Sequence, residues 1–448
     1  MTIVTIGKLV LQVTESEDRE EYLRGLLGEM QAAVREVVGR CIEVMLEQEV
    51  SQALKRKAHG RSKRVSGALK GRAVCRKCGS QQVNRFWRNG HYLRGLDTSW
   101  GHVDIAMPQV RCRCGGSVAM PWRTVRKGQR IWEDVGWEMQ AEAGWGLSLR
   151  WIKAKEDAKL GGSLGLRTIN EWVQQVGDGR EMWLQRNLTC FPPVVEVDGV
   201  WMTLMKTTEA KREDRLGRMR SVKVGQRCVV LFARGCWPQT GQHELLTWLV
   251  SDKESEASWG DLLFAVKQLE LRTPGRWELL IADGAGGLAA ARQIYCPDVP
   301  FQRCIFHKLR NFLRDLTVPD TLDRLSARDY RRSILEEARL IWQADCEPQA
   351  WLRYHAFYAK WKDSQSKALT TLQRDFERTL VFFQLQSLAW ERGENWPLTH
   401  LRTTSHLERE NRNFRRRFRQ AILFHSQAGL ETAIFQNHSL RQSLPSTS

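Results

Sequence analysis

The chain has 448 residues, with 69 Lys or Arg against 51 Asp or Glu, so its formal net charge is +18 and its pI is near 9.7. Such an excess of positive charge favours a polyanionic partner, with DNA or RNA as the obvious candidate. The length predicts several domains, and no apolar run approaches the ~18 residues needed to span a bilayer. With no signal-peptide pattern at the amino terminus, we expect a cytoplasmic protein without membrane contact.

Residues 20–54 have a helical pattern in which apolar side chains recur at spacings of four and three. The residues in this pattern are Leu23, Leu27, Met30, Val34, Val37 and Cys41. Such spacing can form a coiled-coil seam and therefore a dimer contact. It can equally belong to an amphipathic helix that packs on its own domain, and the pattern alone does not decide between the two.

A basic block follows this helix. Between Lys55 and Arg94 the chain carries thirteen Lys or Arg and no Asp or Glu. A solvated face would normally mix charges of both signs, so the block predicts a flexible arm that becomes ordered on DNA. Arg88 and Arg94 are candidate DNA contacts at its end.

Four cysteines in and after this block have the spacing of metal ligands. Cys75 and Cys78 form a C-x-x-C pair, and Cys112 and Cys114 form a C-x-C pair. Four thiolates on two tight turns suit tetrahedral Zn²⁺, so we predict a structural zinc ribbon. Between the pairs, the sequence predicts two strands around an Asn89-Gly90 turn and a second glycine turn.

Three helices are predicted after the ribbon, at 132–143, 148–160 and 166–176. Short helices joined by a glycine turn are compatible with a helix-turn-helix motif, in which Arg167 would contact the major groove. A plain helical linker explains the same pattern, and both alternatives stay open.

From about residue 192 the pattern changes to strands. The run 194–202 reads as a buried strand that presents Asp198 near its end, and the run 277–284 ends in Asp283. Further strands are predicted at 222–224 and 229–233, with a charged hairpin tip at 206–220 and a helix at 258–270. This order is that of an RNase H-like core, in which the first and fourth strands are neighbours. The two aspartates would then share a metal ion.

A third acid lies far downstream. Glu408 falls on a predicted helix that begins with capping residues, after an all-helical stretch at about 316–394. Two strand-end aspartates and a helical glutamate are what a nuclease would use to hold two Mg²⁺ ions on a phosphodiester. On the same helix Arg415, Arg416 and Arg417 would face the phosphate backbone.

Cys304 and His307 have C-x-x-H spacing without a second pair nearby. We therefore interpret them as a packed thiol and a polar contact beside the active site rather than as a zinc site.

Several motifs together resemble those of DDE transposases of the Mutator-like class, especially their bacterial insertion-sequence relatives. They are VDGVW at 197–201, ADGA at 282–285, QRC at 302–304 with His307, and RTTSHLE at 402–408 with Asn411. The segment 88–111 also resembles one that those transposases carry ahead of the core. Ser405 stands where the relatives commonly have Asn, and the four-cysteine ribbon is not general among them.

The resemblance implies a metal-dependent DNA transposase with Asp198, Asp283 and Glu408 as its catalytic triad and Cys304 and His307 as structural support. It implies two Mg²⁺ ions, with Mn²⁺ as a substitute, besides the structural Zn²⁺. We expect a homodimer, because two element ends must be joined, acting on double-stranded DNA in a prokaryotic nucleoid. The alternatives are a transposase-derived DNA-binding protein without catalysis and a nuclease such as a resolvase.

The predicted fold class is multi-domain α+β, with an RNase H-like core interrupted by an all-α insertion. The predicted domains are 1–54 (amino-terminal helix), 55–130 (basic arm and zinc ribbon), 131–190 (helical DNA-binding region), 191–315 and 401–440 (the two parts of the core) and 316–400 (the insertion).

Overall fold

The computed structural model describes residues 2–6, 9–13, 19–55, 73–162, 164–418, 424 and 426–443, with backbone alone for 2–6, 9–13, 405–406, 416–418 and 440–443. The chain forms two compact units, Met1–Gln175 and Val176–Ser448. Most of the predicted basic arm, residues 56–72, lies outside the described residues. Within the described ranges, no helix combines the length and the apolar character needed to cross a bilayer.

The first unit combines small antiparallel sheets with four helices. Its elements are β1 (Thr2–Ile6), β2 (Leu9–Val13), α1 (Arg19–Leu54), β3 (Val74–Cys75), β4 (Phe86–Thr98), β5 (Gly101–Cys112), β6 (Val118–Ala119), α2 (Glu133–Gly144), α3 (Leu149–Leu160) and α4 (Leu166–Gln175). β1 pairs with β2, β3 with β6, and β4 with β5, all antiparallel. The pattern did not predict β1 and β2.

Helix α1 packs on the β4–β5 hairpin through its carboxyl-terminal half. Ile42 and Leu46 are fully buried there, in one cluster with Leu96 and Ile105. Most members of the predicted apolar pattern lie elsewhere on the helix and are exposed: Leu23, Leu27, Met30, Val37 and Cys41. The helix therefore packs within its own unit through other residues, and we call these five residues the exposed stripe.

The β4–β5 hairpin corrects one prediction. Asn89 and Gly90 do not form a turn, because β4 continues through them and the register shifts between Arg88 and His91. The chain reverses at Ser99 and Trp100, just before Gly101 with φ +113°, which confirms the second predicted glycine turn. A positive-φ glycine at 90 fits the irregular strand position as readily as a hairpin turn.

Helices α2, α3 and α4 occupy the three predicted positions to within about one residue at each end. The hydroxyl of Ser148 accepts a hydrogen bond from the backbone N–H of Trp151 and caps α3, which ends at Gly161 with φ +65°. Their shared core contains Val135, Ile152 and Ile169, all fully buried.

The second unit is a mixed sheet covered by helices. Its elements are α5 (Arg180–Leu184), β7 (Val194–Glu213), β8 (Met219–Trp237), β9 (Gln242–Ser251), α6 (Glu256–Leu271), β10 (Leu279–Ala282), α7 (Gly286–Tyr295), β11 (Phe301–Arg303), α8 (Ile305–Arg314), α9 (Arg324–Arg339), α10 (Glu347–Trp361), α11 (Ser366–Gln373), α12 (Val381–Glu391), α13 (Ser405–Phe418) and α14 (Gln427–Ser443). The strand order is β11-β10-β7-β8-β9. β10 runs parallel to β7 and to β11. β8 lies between β7 and β9 and is antiparallel to both. This mixed sheet with its covering helices confirms the predicted α+β class.

Two strand assignments in this sheet were wrong. The runs at 222–224 and 229–233, predicted as separate strands, belong to the single strand β8, and the third strand is β9. Asp198 also does not lie near the end of its strand, because β7 continues to Glu213. The turn of the β7–β8 hairpin is correspondingly short, at 214–218 rather than across the whole of 206–220.

Alternation along β7 separates the two faces of the sheet. Val195 and Val197 point to the face that α6 covers, in a cluster with Trp259 and Leu263. Successive side chains of a strand point to opposite faces. Asp198 therefore belongs to the other face, which is covered partly by the helices after β11 and partly by α13 and α14.

Candidate active site

Asp198 and Asp283 are brought together by the parallel pairing of β7 with β10. In this ladder Leu279 lies opposite Val194 and Ile281 lies opposite Glu196. The same register continued by two residues sets Asp283 beside Asp198. Adjacent strands lie about 4.8 Å apart, so the two carboxylates are neighbours, as the sequence predicted for the first and fourth strands.

Glu408 reaches the same place from α13. Leu407, Asn411 and Phe414 are buried, and Leu407 and Phe414 belong to the cluster that packs on the sheet. These residues recur at the helical spacing of four and three, which fixes the rotation of α13. Glu408 lies one position from the buried stripe and is directed to the edge of this contact, beside the aspartates.

The three acids line one cavity of about 490 Å³. Aromatic and basic side chains complete its wall. The other lining residues are Gly199, Trp201, Glu254, Trp259, Phe306, His307, Arg310, Asn411, Arg412 and Arg415.

Burial makes the carboxylates of this cavity weaker acids than usual. It raises the pKa of Asp198 to about 6, with the neighbouring Asp283 adding to the shift and a hydrogen bond from Asn411 opposing it. It raises the pKa of Glu408 to about 7, again helped by the charge of Asp198. Like charges held together in a partly dry cavity are favourable for binding a cation.

Asn411 and Glu254 belong to the cavity but were given no role from the sequence. The Asn411 side-chain amide donates to Asp198 Oδ2 at 2.7 Å. Its position three residues after Glu408, hence on the same helix face, is the signal that could have identified it. Glu254 carries no comparable signal, since it lies in the loop after β9 and meets the site only through the fold.

Glu254 also explains why glycine follows Asp198. A Cβ atom at Gly199 would lie 2.8 Å from Glu254 Oε1 and 3.3 Å from Val229 Cγ2. Burial, and the charge of Asp283, raise the pKa of Glu254. The cavity therefore contains a fourth carboxyl group in close contact with the backbone of β7.

Cys304, at the start of α8, and His307, on α8, lie next to Glu408 and the residues that precede it. The Cys304 thiol is fully buried and accepts hydrogen bonds from the backbone N–H and the hydroxyl of Thr404, at 3.3 and 3.2 Å. His307 Nε2 lies 3.2 Å from Glu408 Oε1. Burial lowers the pKa of His307 to about 4, so its imidazole is neutral at physiological pH.

The donor set fits a hard divalent cation. Glu408 Oε1 is buried, and its 3.2 Å contact with His307 Nε2 lacks hydrogen-bond geometry, so no described residue donates a hydrogen bond to it. A buried oxygen without a donor is costly unless a cation or water satisfies it. Carboxylate oxygens are the ligands that Mg²⁺ and Mn²⁺ prefer.

The predicted basic cluster on α13 is described only in part. Arg415 lines the cavity, together with Arg412 and Arg310, for which the sequence gave no role. The side chains of Arg416 and Arg417 lie outside the described residues.

The other candidate DNA contacts lie in the first unit. Arg88 donates to Glu47 Oε2 at 3.3 Å and to Ser51 Oγ at 2.8 Å, so it ties β4 to α1. Arg94 donates to the carbonyl oxygen of Gln129. Arg167 differs from both, because it is exposed at the start of α4 and its partner among the described residues is Glu171, in a surface ion pair.

Four of the five cysteines of the first unit, Cys75, Cys78, Cys112 and Cys114, form one cluster. The sulfur atoms of Cys75 and Cys114 are 3.4 Å apart, and those of Cys78 and Cys112 are 3.8 Å apart. Tetrahedral ligands at Zn–S bonds of about 2.3 Å would be separated by about 3.8 Å. A Cβ atom at Gly116 would lie 2.8 Å from Cys75 Sγ, so the turn needs glycine. This cluster could bind zinc, as the spacing predicted.

Known proteins similar to this chain point to one family. The family model "Transposase, Mutator family" matches residues 74–437. The transposase for insertion sequence element ISRM5 of Rhizobium meliloti (strain 1021) is 25% identical over 407 residues, which cover 90% of this chain and 86% of that protein. The transposase for insertion sequence element IS905 of Lactococcus lactis subsp. lactis (strain IL1403) is 23% identical over 359 residues, covering 80% and 81%.

A solved structure, the Drosophila P element transposase strand transfer complex, has a TM-score of 0.40 and 9% identity and covers 72% of this chain and 93% of that chain. A likeness of this degree carries no conclusion about the fold. The family model, by contrast, spans most of the sequence, including all three acids of the cavity. The chain therefore belongs to the Mutator family of transposases.

Proposed function

We propose that this protein binds the ends of its own insertion sequence, cuts the DNA there and transfers the freed 3′ ends into a target. The observation that carries the proposal is the cavity in which Asp198, Asp283 and Glu408 meet beside three arginines. The acids suit the metal-dependent displacement of a phosphodiester, and the arginines suit its charge. The names of the curated relatives agree with this function.

The arrangement of the second unit supports an RNase H-like core. Three antiparallel strands are followed by a helix and by a strand parallel to the first, in the spatial order β11-β10-β7-β8-β9. Along the chain, helices α9 to α12 lie between this part of the unit and α13. We assign the sheet with α13 to the catalytic core and the intervening helices to its insertion.

Two Mg²⁺ ions, or Mn²⁺ in their place, held by Asp198, Asp283 and Glu408, would activate the attacking water or 3′-hydroxyl and stabilise the leaving 3′ oxygen. The chain's own residues prepare this site. Asn411 fixes the Asp198 carboxylate through its amide, and the neutral imidazole of His307 lies against Glu408. Because His307 is uncharged at neutral pH, it orients the glutamate without competing with a cation for its charge.

Positive side chains at the rim would hold the phosphodiester over the acids. Arg310, Arg412 and Arg415 are largely exposed where they line the cavity, so their guanidinium groups are available to phosphate oxygens. Guanidinium groups bind phosphate in a bidentate manner. We therefore assign to these arginines the placement of the scissile strand.

The first unit would supply DNA recognition. Helices α2 to α4 present the exposed Arg167, which we assign to DNA, whereas the internal contacts of Arg88 and Arg94 indicate that they stabilise the unit. The four-cysteine cluster would bind structural Zn²⁺, and the exposed stripe of α1 would mediate a homodimer. With this function the protein would act on chromosomal DNA in the cytoplasm.

The decisive experiment is cleavage of a duplex that carries the DNA ends flanking this gene. Wild-type protein with Mg²⁺ should cut at the element boundary, and Glu408→Gln should bind the same ends but cut at least about 10³-fold more slowly. Glu391→Gln is a matched control, because Glu391 is exposed on α12 and does not line the cavity.

Other outcomes would lead to different conclusions. Equal cutting by wild type and Glu408→Gln would show that Glu408 is not a catalytic residue. Tight end binding without cutting by either protein, in Mg²⁺ or Mn²⁺, would instead identify a DNA-binding protein derived from a transposase.

A further inference from the structure

A second group of metal-binding side chains lies in the second unit, apart from the acids of the cavity. It consists of Cys236, His243 and His400. Cys236 lies near the end of β8, and His243 is its direct partner on β9. His400 comes from the short 3₁₀ turn Leu398–His400, more than 150 residues later in the chain. The sequence gave no signal for this group, because its members meet only in the fold.

The separations fit a single ion. Cys236 Sγ lies 3.7 Å from His243 Nε2, and one ligand atom from each of the three residues lies within 4.8 Å of the others. A Zn–S bond of about 2.3 Å and a Zn–N bond of about 2.1 Å at a tetrahedral angle separate the two ligand atoms by about 3.6 Å. The rings of His243 and His400 are 5.4 Å apart and inclined by 53°, so both can direct a nitrogen to one point.

The turn of the β8–β9 hairpin lies beside His400. The β8–β9 hairpin turns tightly through Gly241, which has φ +68°. A Cβ atom there would lie 3.5 Å from His400 Nε2, which is an ordinary van der Waals distance. The turn of the hairpin therefore lies directly beside the imidazole of His400.

A thiol hydrogen-bonded to one imidazole is the simpler explanation, but the second imidazole also offers a nitrogen within 4.8 Å of the other two ligand atoms. The Cys236 thiol is fully buried, whereas both histidines are half-buried, which leaves a route for an ion and for a water molecule. Burial raises the pKa of the Cys236 thiol, so binding must expel its proton to solvent. One thiolate and two imidazoles are a ligand set that zinc prefers over Mg²⁺.

We propose that Cys236, His243 and His400 bind a Zn²⁺ ion, with water as the fourth ligand, which fastens the β8–β9 hairpin to the segment leading into α13. His400 precedes Thr404, whose backbone and hydroxyl contact Cys304, and Glu408 follows one turn later. The ion would therefore hold in place the stretch of chain that positions Glu408. It is distinct from the Mg²⁺ of the active site and from the zinc of the four-cysteine cluster.

The test is zinc content per chain, measured by inductively coupled plasma mass spectrometry on full-length protein dialysed against Mg²⁺ without chelator. Cys236→Ser and His400→Gln should each contain about one zinc fewer than wild type. Cys228→Ser is the matched control, since Cys228 is a buried thiol on the same strand outside the group, and it should keep the wild-type content. Unchanged zinc in both ligand variants would overturn the proposal.

Cobalt spectra provide a measurement that does not depend on one variant folding. Co²⁺ in place of zinc should give a thiolate charge-transfer band to which both the four-cysteine cluster and this group contribute, so the band should weaken without disappearing in His400→Gln and stay unchanged in Cys228→Ser. His400 lies in a surface turn, so its replacement by Gln leaves the core of the sheet intact. Identical cobalt spectra for wild type and His400→Gln would also reject the site.

Discussion

At the scale of single residues, Asn411 controls the charge state of Asp198. Its amide donates to Asp198 Oδ2 at 2.7 Å and opposes the effect of burial on the aspartate pKa. Asn411→Asp would replace this donor by a second carboxylate. We expect the pKa of Asp198 to rise from about 6 by about one to two units, so that cleavage at pH 7 falls about twofold to about tenfold and recovers at higher pH. Cleavage rates across a pH series measure this.

Asn413→Asp is the control for this substitution. It makes the same change on the same helix, at a residue that does not line the cavity. If both variants lost activity equally, with no change in the shape of the pH profile, the effect would come from charge on α13 and not from the contact with Asp198.

The same carboxyl groups make metal binding dependent on pH. Burial raises the pKa of Asp198 to about 6 and that of Glu408 to about 7, above the values of the unfolded chain. The folded state therefore holds these protons more tightly, so the stability that these two groups contribute without metal is lost as the pH rises from about 4 through about 7. Mg²⁺ competes with the protons, so its stabilising effect should increase over the upper part of this range.

We expect Mg²⁺ to raise the melting temperature more at pH 8 than at pH 5.5, with proton release on binding. Thermal unfolding with and without Mg²⁺ tests the first point, and calorimetry in buffers of different ionisation enthalpy tests the second. Asp198→Asn should reduce the pH dependence of the Mg²⁺ effect, because this variant lacks one of the two carboxyl groups that bind a proton. A Mg²⁺ effect that is the same at both pH values would contradict the assignment of these acids as ligands.

At the scale of elements, the sequence predicted the strands that have a regular apolar pattern and missed those that have none. The strands that carry Asp198 and Asp283 are buried on both faces, so their apolar runs identified them and their neighbouring positions. The outer part of the β7–β8 hairpin is a two-stranded ribbon with mostly exposed side chains. Such a ribbon has no buried face and hence no apolar alternation, so its strands were read as a charged connection.

The Asn89-Gly90 pair shows a second limit of sequence patterns. This dipeptide is a strong hairpin signal because both residues tolerate positive φ. In the structure, Gly90 uses that freedom within β4, where the register shifts, while the reversal falls at Ser99 and Trp100. Pairing with β5 along both halves of β4 decided between these alternatives, and a local pattern does not contain that information.

The candidate site also contains residues that the sequence predicted and residues that it missed. Asp198, Asp283 and Glu408 were predictable because Asp-Gly motifs and a capped helix mark them. Glu254, which lies in a loop, and the group of Cys236, His243 and His400 were not, since residues distant in sequence meet there only after the sheet and the helical segment pack together.

At the scale of the whole molecule, we propose the exposed stripe of α1 as the surface of a homodimer. Leu27 is 55% exposed and Val37 is 45% exposed. Val44, three residues beyond Cys41, is also exposed and extends the alternating spacing of four and three toward the carboxyl end of the helix. Soluble proteins rarely expose so regular an apolar stripe unless it is an interface. The β4–β5 hairpin covers the carboxyl-terminal half of the helix on its other side, and we propose a second copy of α1 as the partner of the stripe.

We expect the double substitution Leu27→Glu with Val37→Glu to weaken the homodimer at least about 100-fold, since each buried apolar side chain contributes about 1.5–3 kcal/mol. Sedimentation equilibrium, with and without end DNA, measures the change. Ala32→Glu is the control, because it places the same charge on an exposed position of α1 outside the stripe. Single-end DNA binding should survive in both variants, whereas joining of paired ends should be lost only in the double variant. A double variant that remained dimeric would exclude the stripe as the interface, and the dimer would then have to form through another surface.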